Sequence, residues 1–162
     1  MKGSFSSIAN FTPEIIATAT LVVGSSGQSF TEITGEAARF VTESGAKDGA
    51  LFLFMRHTSA SLVIQENADP DVRSDLASAL DRLAPADARW IHDVEGPDDM
   101  PAHVKTMLTG VSLHVPVIDG ALALGTWQGI YVVEHRARPH RREVVLQFIG
   151  SRRRSAGLGL RE

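Results

Sequence analysis

The sequence predicts an α+β fold, a largely antiparallel β-sheet or sandwich with a few flanking helices. Three observations predict it. Short apolar runs with β-branched residues recur along the chain and outnumber the helical stretches. Those runs cluster toward the end of the chain. An Asp119-Gly120 pair follows one of them, which signals a tight hairpin.

The elements follow in order. Glu14 to Val23 reads as a strand, and Gly24-Ser25-Ser26-Gly27 as a loop. Thr34 is placed to cap a helix running through Ser44, with Ala37, Phe40 and Val41 on its apolar face and Gly45 as its stop. Gly49 to Met55 is a continuous apolar run, short enough for a buried strand. Ser61 to Ile64 continues as a second strand past His57-Thr58-Ser59. Asp69-Pro70 opens a helix, with aspartate as cap and proline at the first position. Val72, Leu76, Leu80 and Leu83 form its apolar stripe, and Pro85 ends it. Asp99 is placed to cap another short helix, with Val104, Met107 and Leu108 inward and Gly110 as the stop. Val111 to Val117, Gly129 to Glu134 and Glu143 to Ile149 complete the strands.

A chain of 162 residues fits one domain, expected over 1–150, with 151–162 as a flexible basic tail. There is no cysteine, which excludes disulfides, thiolate zinc sites and cysteine nucleophiles, and fits a reducing compartment. No stretch approaches the roughly 20 apolar residues of a membrane span, and Met1 to Thr12 does not read as a signal peptide. A cytoplasmic location without a membrane partner is therefore expected. The net charge of −3 argues against a nucleic-acid partner. The charge is unevenly spread: residues 66–99 hold ten acids against three arginines, while 136–162 hold eight arginines against Glu143 and Glu162. One segment could attract cations and the other anions, or the two could pair.

Six histidines are the first candidates for chemistry, since imidazole serves both as metal ligand and as acid–base group near neutral pH. His57 follows a buried strand, His92 sits in an acidic stretch, His103 lies on the first turn of the Asp99 helix, and His135 follows Glu134 at a strand end. His114 sits mid-strand and His140 in a basic turn. His92 and His103 are eleven apart with carboxylates between, so they could share an ion, although the spacing is no standard metal signature. Gly125-Thr126-Trp127-Gln128-Gly129 brackets a tryptophan with two glycines, which suits either a close backbone approach or a structural turn. Standard nucleotide-binding, serine-hydrolase and zinc-protease motifs are missing.

Four blocks carry a family resemblance: His57-Thr58-Ser59-Ala60-Ser61-Leu62 with Glu66 to Val72; His92-Asp93 leading to Asp98-Asp99-Met100-Pro101-Ala102-His103; Gly110 to Val117 with Leu124-Gly125-Thr126-Trp127-Gln128-Gly129-Ile130; and Glu134-His135-Arg136 with Arg141-Arg142. In this order and spacing the chain resembles the YjbQ family over roughly residues 28–150. Other proteins of that family are labelled secondary thiamine-phosphate synthases. The resemblance implies a YjbQ-like α+β fold, a compact homotrimer and a cleft lined by the matched polar residues. His57, His92, His103, Glu134 and Arg142 fall on motif positions, His135 matches part of the family, and His114 and His140 do not match. Many relatives carry an asparagine in the segment before His103, where this chain reads Asp-Asp-Met-Pro-Ala-His.

Three functional expectations follow. The family label implies joining hydroxymethylpyrimidine pyrophosphate to thiazole phosphate with release of pyrophosphate. Arg142 and Arg136 would bind phosphate, Glu95, Asp98 or Asp99 would hold Mg²⁺, Trp127 and Gln128 would line the substrate, and His57 or His103 would act as acid–base groups. Alternatively, His57, His92 and His103 would bind Zn²⁺ or another transition ion, with Glu134 as the base of a hydrolase. The third expectation is a non-catalytic trimer that binds a small anion. All three take a small phosphorylated or anionic ligand; the hydrolase needs a divalent metal, Mg²⁺ or Zn²⁺ being the candidates, and the synthase needs either such a cation or cationic side chains.

Overall fold

Alternation along the strands decides the layers. Successive strand residues point to opposite faces, so a run can bury every second side chain. A computed structural model of the chain describes residues 8–153. In it β3 (Ala46–Met55) buries Leu51, Leu53 and Met55 and exposes Phe52 and Phe54. The long strand β8 (His140–Arg152) buries Arg142, Val144, Leu146 and Phe148 by the same rule. Together with β1 (Ile15–Ser25), β5 (Ser112–Ile118) and β6 (Ala121–Leu122), they form a five-stranded sheet in the order β1-β8-β3-β5-β6. A second sheet has the order β2-β7-β4, from β2 (Ser29–Glu32), β7 (Gln128–Glu134) and β4 (Ala60–Glu66). Every paired ladder is antiparallel, as the sequence predicted.

One apolar core lies between the sheets. Leu62, Ile130 and Val132 join the buried residues of β3 and β8 there, and α1 (Thr34–Glu43) contributes Ala37 and Val41. Two other helices, α2 (Pro70–Leu83) and α3 (Asp99–Thr109), complete the α+β architecture. The Asp119-Gly120 pair makes the expected two-residue hairpin between β5 and β6, with φ values of 49° and 79°. Both residues therefore take the left-handed conformation that type I′ turns require. Gly49 and Gly150 face each other across β3 and β8, and a Cβ at Gly49 would lie 2.3 Å from the Ile149 carbonyl oxygen. No larger residue fits that contact without moving backbone.

Several boundaries differ from the sequence expectations. Thr34 is the first residue of α1, not its cap; its hydroxyl accepts from the Ile130 N–H and donates to Glu32. The threonine thus joins helix to sheet. Asp69 caps α2 as expected, accepting from the Asp71 N–H. Asp98, rather than Asp99, stands at the N-cap of α3. The inward face of α3 is also different: Met107 and Leu108 are 77% and 54% exposed, while Ala102, Lys105 and Thr106 are buried. Buried Lys105 holds Asp81 at 2.5 Å, so an ion pair occupies a face where a purely apolar stripe was expected. Strand β8 spans His140–Arg152, longer than the Glu143 to Ile149 read from the sequence; residues 154–162 of the expected tail lie outside the described residues. No described helix is long and apolar enough to cross a membrane.

Candidate functional site

The core stripes of three strands run out in polar side chains at one end of the sandwich. On β7, Ile130 and Val132 face the core, and Glu134 follows on the same face. On β8, Arg142 precedes Val144, Leu146 and Phe148. On β3, Leu51, Leu53 and Met55 lead to His57 two residues on. The two sheets therefore meet at this end through a buried ion pair. Arg142 Nε donates to Glu134 Oε2 at 2.6 Å, and Arg142 Nη2 donates to Oε1 at 2.7 Å. This fork is the geometry in which a guanidinium binds a carboxylate most strongly. The Arg136 N–H also donates to Oε1 at 2.9 Å, and the Ser25 hydroxyl to Oε2 at 3.4 Å. A carboxylate has about four acceptor positions, so Glu134 has none left for activating a water. Burial pushes its pKa up, but the bonds from Arg142 and Arg136 outweigh this and hold it below the ordinary glutamate value.

Arg136 organises the neighbouring segment. It reaches Asp98 Oδ2 at 3.1 Å, the Glu95 carbonyl oxygen at 2.8 Å and buried Asp99 through Nη1. Asp98 Oδ2 also accepts from the Ala137 N–H at 2.8 Å. Burial raises the Asp98 pKa, and these donors more than offset it, leaving it lowered. The three carboxylates expected to hold Mg²⁺ therefore surround an arginine. Both arginines expected to bind phosphate are themselves held by acids, Arg136 by Asp98 and Asp99 and Arg142 by Glu134.

Beyond Asp99 lie two histidines. Asp99 Oδ2 is 2.8 Å from His92 Nε2 and 3.4 Å from His103 Nε2. These three ligand atoms lie within 4.8 Å of one another. His103 is four residues after Asp99, so one turn of α3 sets both on one face. Its Nδ1 is 2.9 Å from the Thr58 carbonyl oxygen. A carbonyl only accepts, so Nδ1 carries the proton and Nε2 presents a lone pair toward Asp99 in the neutral ring. That is the orientation a ligating histidine takes when a backbone carbonyl holds its other nitrogen.

His57 belongs to the same corner but not to that trio. Its Nδ1 is 3.1 Å from the Ser59 backbone nitrogen, which donates to it, and 3.0 Å from the Ser59 hydroxyl oxygen. Burial and then the Arg142 charge lower its pKa below the ordinary histidine value.

A model of the family described as UPF0047 protein YjbQ-like matches residues 19–151. The chain belongs to that family. The UPF0047 protein sll1880 of Synechocystis is 50% identical over 131 residues, spanning 80% of this chain and 89% of that one. The UPF0047 protein YugU of Bacillus subtilis is 39% identical over 119 residues, 74% of this chain and 88% of that one. Among solved structures, an uncharacterized conserved protein of the YjbQ/UPF0047 family from Clostridium acetobutylicum is 39% identical. It aligns with a TM-score of 0.73, covering 82% of this chain and 98% of that one.

Other residues of this UPF0047 chain lie elsewhere. Gln128 starts β7 with Trp127 in the turn just before it, and six residues at about 3.3 Å each put Gln128 roughly 20 Å along the strand from Glu134. Gln128 Oε1 accepts from the Gly125 N–H at 2.8 Å, closing the turn, while Trp127 is 65% exposed. One chain does not bring these two to the histidine corner. His135 points to the other face of β7. It is buried against Ser61, with Nε2 2.9 Å from Oγ, and burial lowers its pKa to about 4. His114 is exposed on β5.

Sequence reasoning missed the Thr58 carbonyl, met Ser59 only as part of the His57-Thr58-Ser59 run, and set aside His140, whose Nδ1 lies 3.9 Å from Glu134 Oε2. Strand parity was an available signal for the corner. Glu134, Arg142 and His57 each stand two residues from the last apolar residue of a buried stripe.

Proposed function

We propose that the protein is a metal-dependent hydrolase of a small phosphorylated substrate, with a zinc-class ion held by His92, Asp99 and His103. The convergence of their three ligand atoms, with His103 Nδ1 tied to the Thr58 carbonyl, carries this reading. Two imidazoles and one carboxylate suit a transition ion better than Mg²⁺. Three protein ligands are the number typical of catalytic rather than closed structural zinc sites. Asp99 stands in this set where the sequence alone suggests His57.

Such an ion supplies Lewis-acid chemistry at a phosphate oxygen and activates water near neutral pH. The chain's own groups do the rest. Thr58 orients His103, Arg136 positions Asp99, and the Glu134–Arg142 pair anchors the corner without acting as base.

The thiamine-phosphate synthase reading is the second, and the resemblance of the His57 and Gly125 blocks favours it. That reaction needs a wall that excludes water from the developing pyrimidine cation. Trp127 is too far along β7 to supply it within one chain. A homotrimer could bring the two ends together. The outer face of the five-stranded sheet exposes Ile16, Val22, Phe52, Phe54 and Ile118, an apolar surface suited to a second copy of the chain.

Metal content of purified protein tests the conclusion. We expect one equivalent of zinc-class ion per chain and its loss in His92→Ala, together with metal-dependent release of phosphate or pyrophosphate from a panel of small esters. Full activity in metal-free protein would end this reading. Thiamine phosphate formation that disappears in His103→Ala would transfer the assignment to the synthase.

A further inference from the structure

We infer that the single peptide unit joining Thr58 to Ser59 holds His57 and His103 in opposite neutral tautomers, making His57 Nε2–H a hydrogen-bond donor to a substrate oxyanion and leaving His103 Nε2 to take the cation. The substrate and cation roles rest on the function proposed above; the tautomers do not.

A peptide group has one acceptor and one donor, pointing to opposite sides of a plane. Here each meets an imidazole. The Thr58 carbonyl oxygen lies 2.9 Å from His103 Nδ1, and the Ser59 N–H lies 3.1 Å from His57 Nδ1. The carbonyl can only accept, so His103 Nδ1 is protonated. The N–H can only donate, so His57 Nδ1 is not. In neutral rings the remaining proton placement follows: His103 has a bare Nε2, and His57 has Nε2–H.

The Ser59 side chain reinforces the choice. Arg142 Nη2 donates to Ser59 Oγ at 3.2 Å, and the hydroxyl proton is then directed toward His57 Nδ1 at 3.0 Å. Glu134 in turn fixes Arg142 through two charge-assisted bonds. The buried ion pair is thus a positioning device, acting on His57 through Ser59. Two donors on Nδ1 oppose its protonation. His57 Nε2 has no hydrogen-bond partner among the described residues. A group that only donates there fits a phosphate oxygen, on which charge builds during transfer. It does not fit a metal, since ligation through Nε2 would require moving the proton to Nδ1 against both Ser59 donors.

Imidazole ¹⁵N spectroscopy tests this on the full chain. Long-range ¹H–¹⁵N correlations distinguish protonated from bare ring nitrogens. They would be recorded after chelation of metal at about pH 8.5, roughly two units above the ordinary histidine value, with His57→Gln and His103→Gln supplying assignments. We expect Nε2–H for His57 and Nδ1–H for His103. The same tautomer in both rings would overturn the inference. Ser59→Ala retains the backbone donor, so His57 should keep its pattern; a switch would overturn the role of the peptide.

Titration with zinc should shift His103 Nε2 and leave His57 unligated, and inorganic phosphate should shift the His57 Nε2–H signal. Ligation of zinc by His57, or no response of His57 to phosphate, would overturn its donor role. If the tautomers are opposite and zinc moves neither ring, the proposed metal centre fails while the peptide's control of the tautomers stands.

Discussion

The two ends of β7 differ in how much their polar groups matter to the rest of the molecule. At the Glu134 end, a carboxylate that is 1% exposed meets a buried guanidinium, and the same pair reaches Ser59 and His57. At the Gln128 end, an exposed side chain closes its own turn onto Gly125. Both ends carry residues of the YjbQ-like blocks. Only one places them where water cannot replace a lost partner. A motif residue that turns its own chain and one that joins two sheets look alike in sequence, yet their removal has different costs.

Substitution should expose that difference most strongly at the ion pair. Arg142→Ala leaves Glu134 buried without its partner and should cost roughly 3–5 kcal/mol in denaturant unfolding. Replacing both members, as Glu134→Gln with Arg142→Met, should recover much of that loss. A single-variant cost under about 1 kcal/mol would mean the end is more hydrated than its geometry indicates.

The pH dependence of stability should come next. His135 is held neutral, with its pKa lowered to about 4 from an ordinary 6.5. Between those values the unfolded chain binds the proton and the folded chain does not, so stability falls as pH falls. The contribution is complete above about 6.5 and lost as pH drops through about 4, on the order of 3 kcal/mol in all. Glu134, also lowered, adds acid lability of the same sign below the ordinary carboxylate value. Unfolding free energies measured between pH 7 and 4 check this, and His135→Gln should flatten the upper part of the curve. A wild-type curve already flat there would contradict a buried neutral His135.

The smallest effect belongs to the other end. Gln128→Ala removes one exposed hydrogen bond and should cost no more than about 1 kcal/mol. It should leave metal content unchanged. A large loss of stability only at concentrations where the chain associates would instead show that a second subunit covers this turn.

Much of the fold was legible because local patterns and tertiary demands agree. The run Leu51, Leu53, Met55 is apolar on one parity, and Asp69-Pro70 carries its own start chemistry, a capping carboxylate followed by a first-turn proline. Where a side chain had a tertiary partner, local reading failed. Thr34 and Asp99 each look like helix caps, but the sheet claims one hydroxyl and Arg136 and two histidines claim the other carboxylate. Lys105 sits on the buried face of α3 because Asp81 of α2 offers it a charge, which spacing along α3 does not reveal.

The same division runs through the candidate site. His57, His92, His103, Glu134, Arg136 and Arg142 were recognisable from the sequence as residues able to bind ions and anions, because side-chain chemistry is local. Their partners were not. Antiparallel pairing and the turn after β3 decided that Arg142 answers Glu134, that Asp99 joins His92 and His103, and that one peptide stands between two imidazoles. Those outcomes depend on which groups the core brings within hydrogen-bond distance, and such distances exist only once the two sheets have closed.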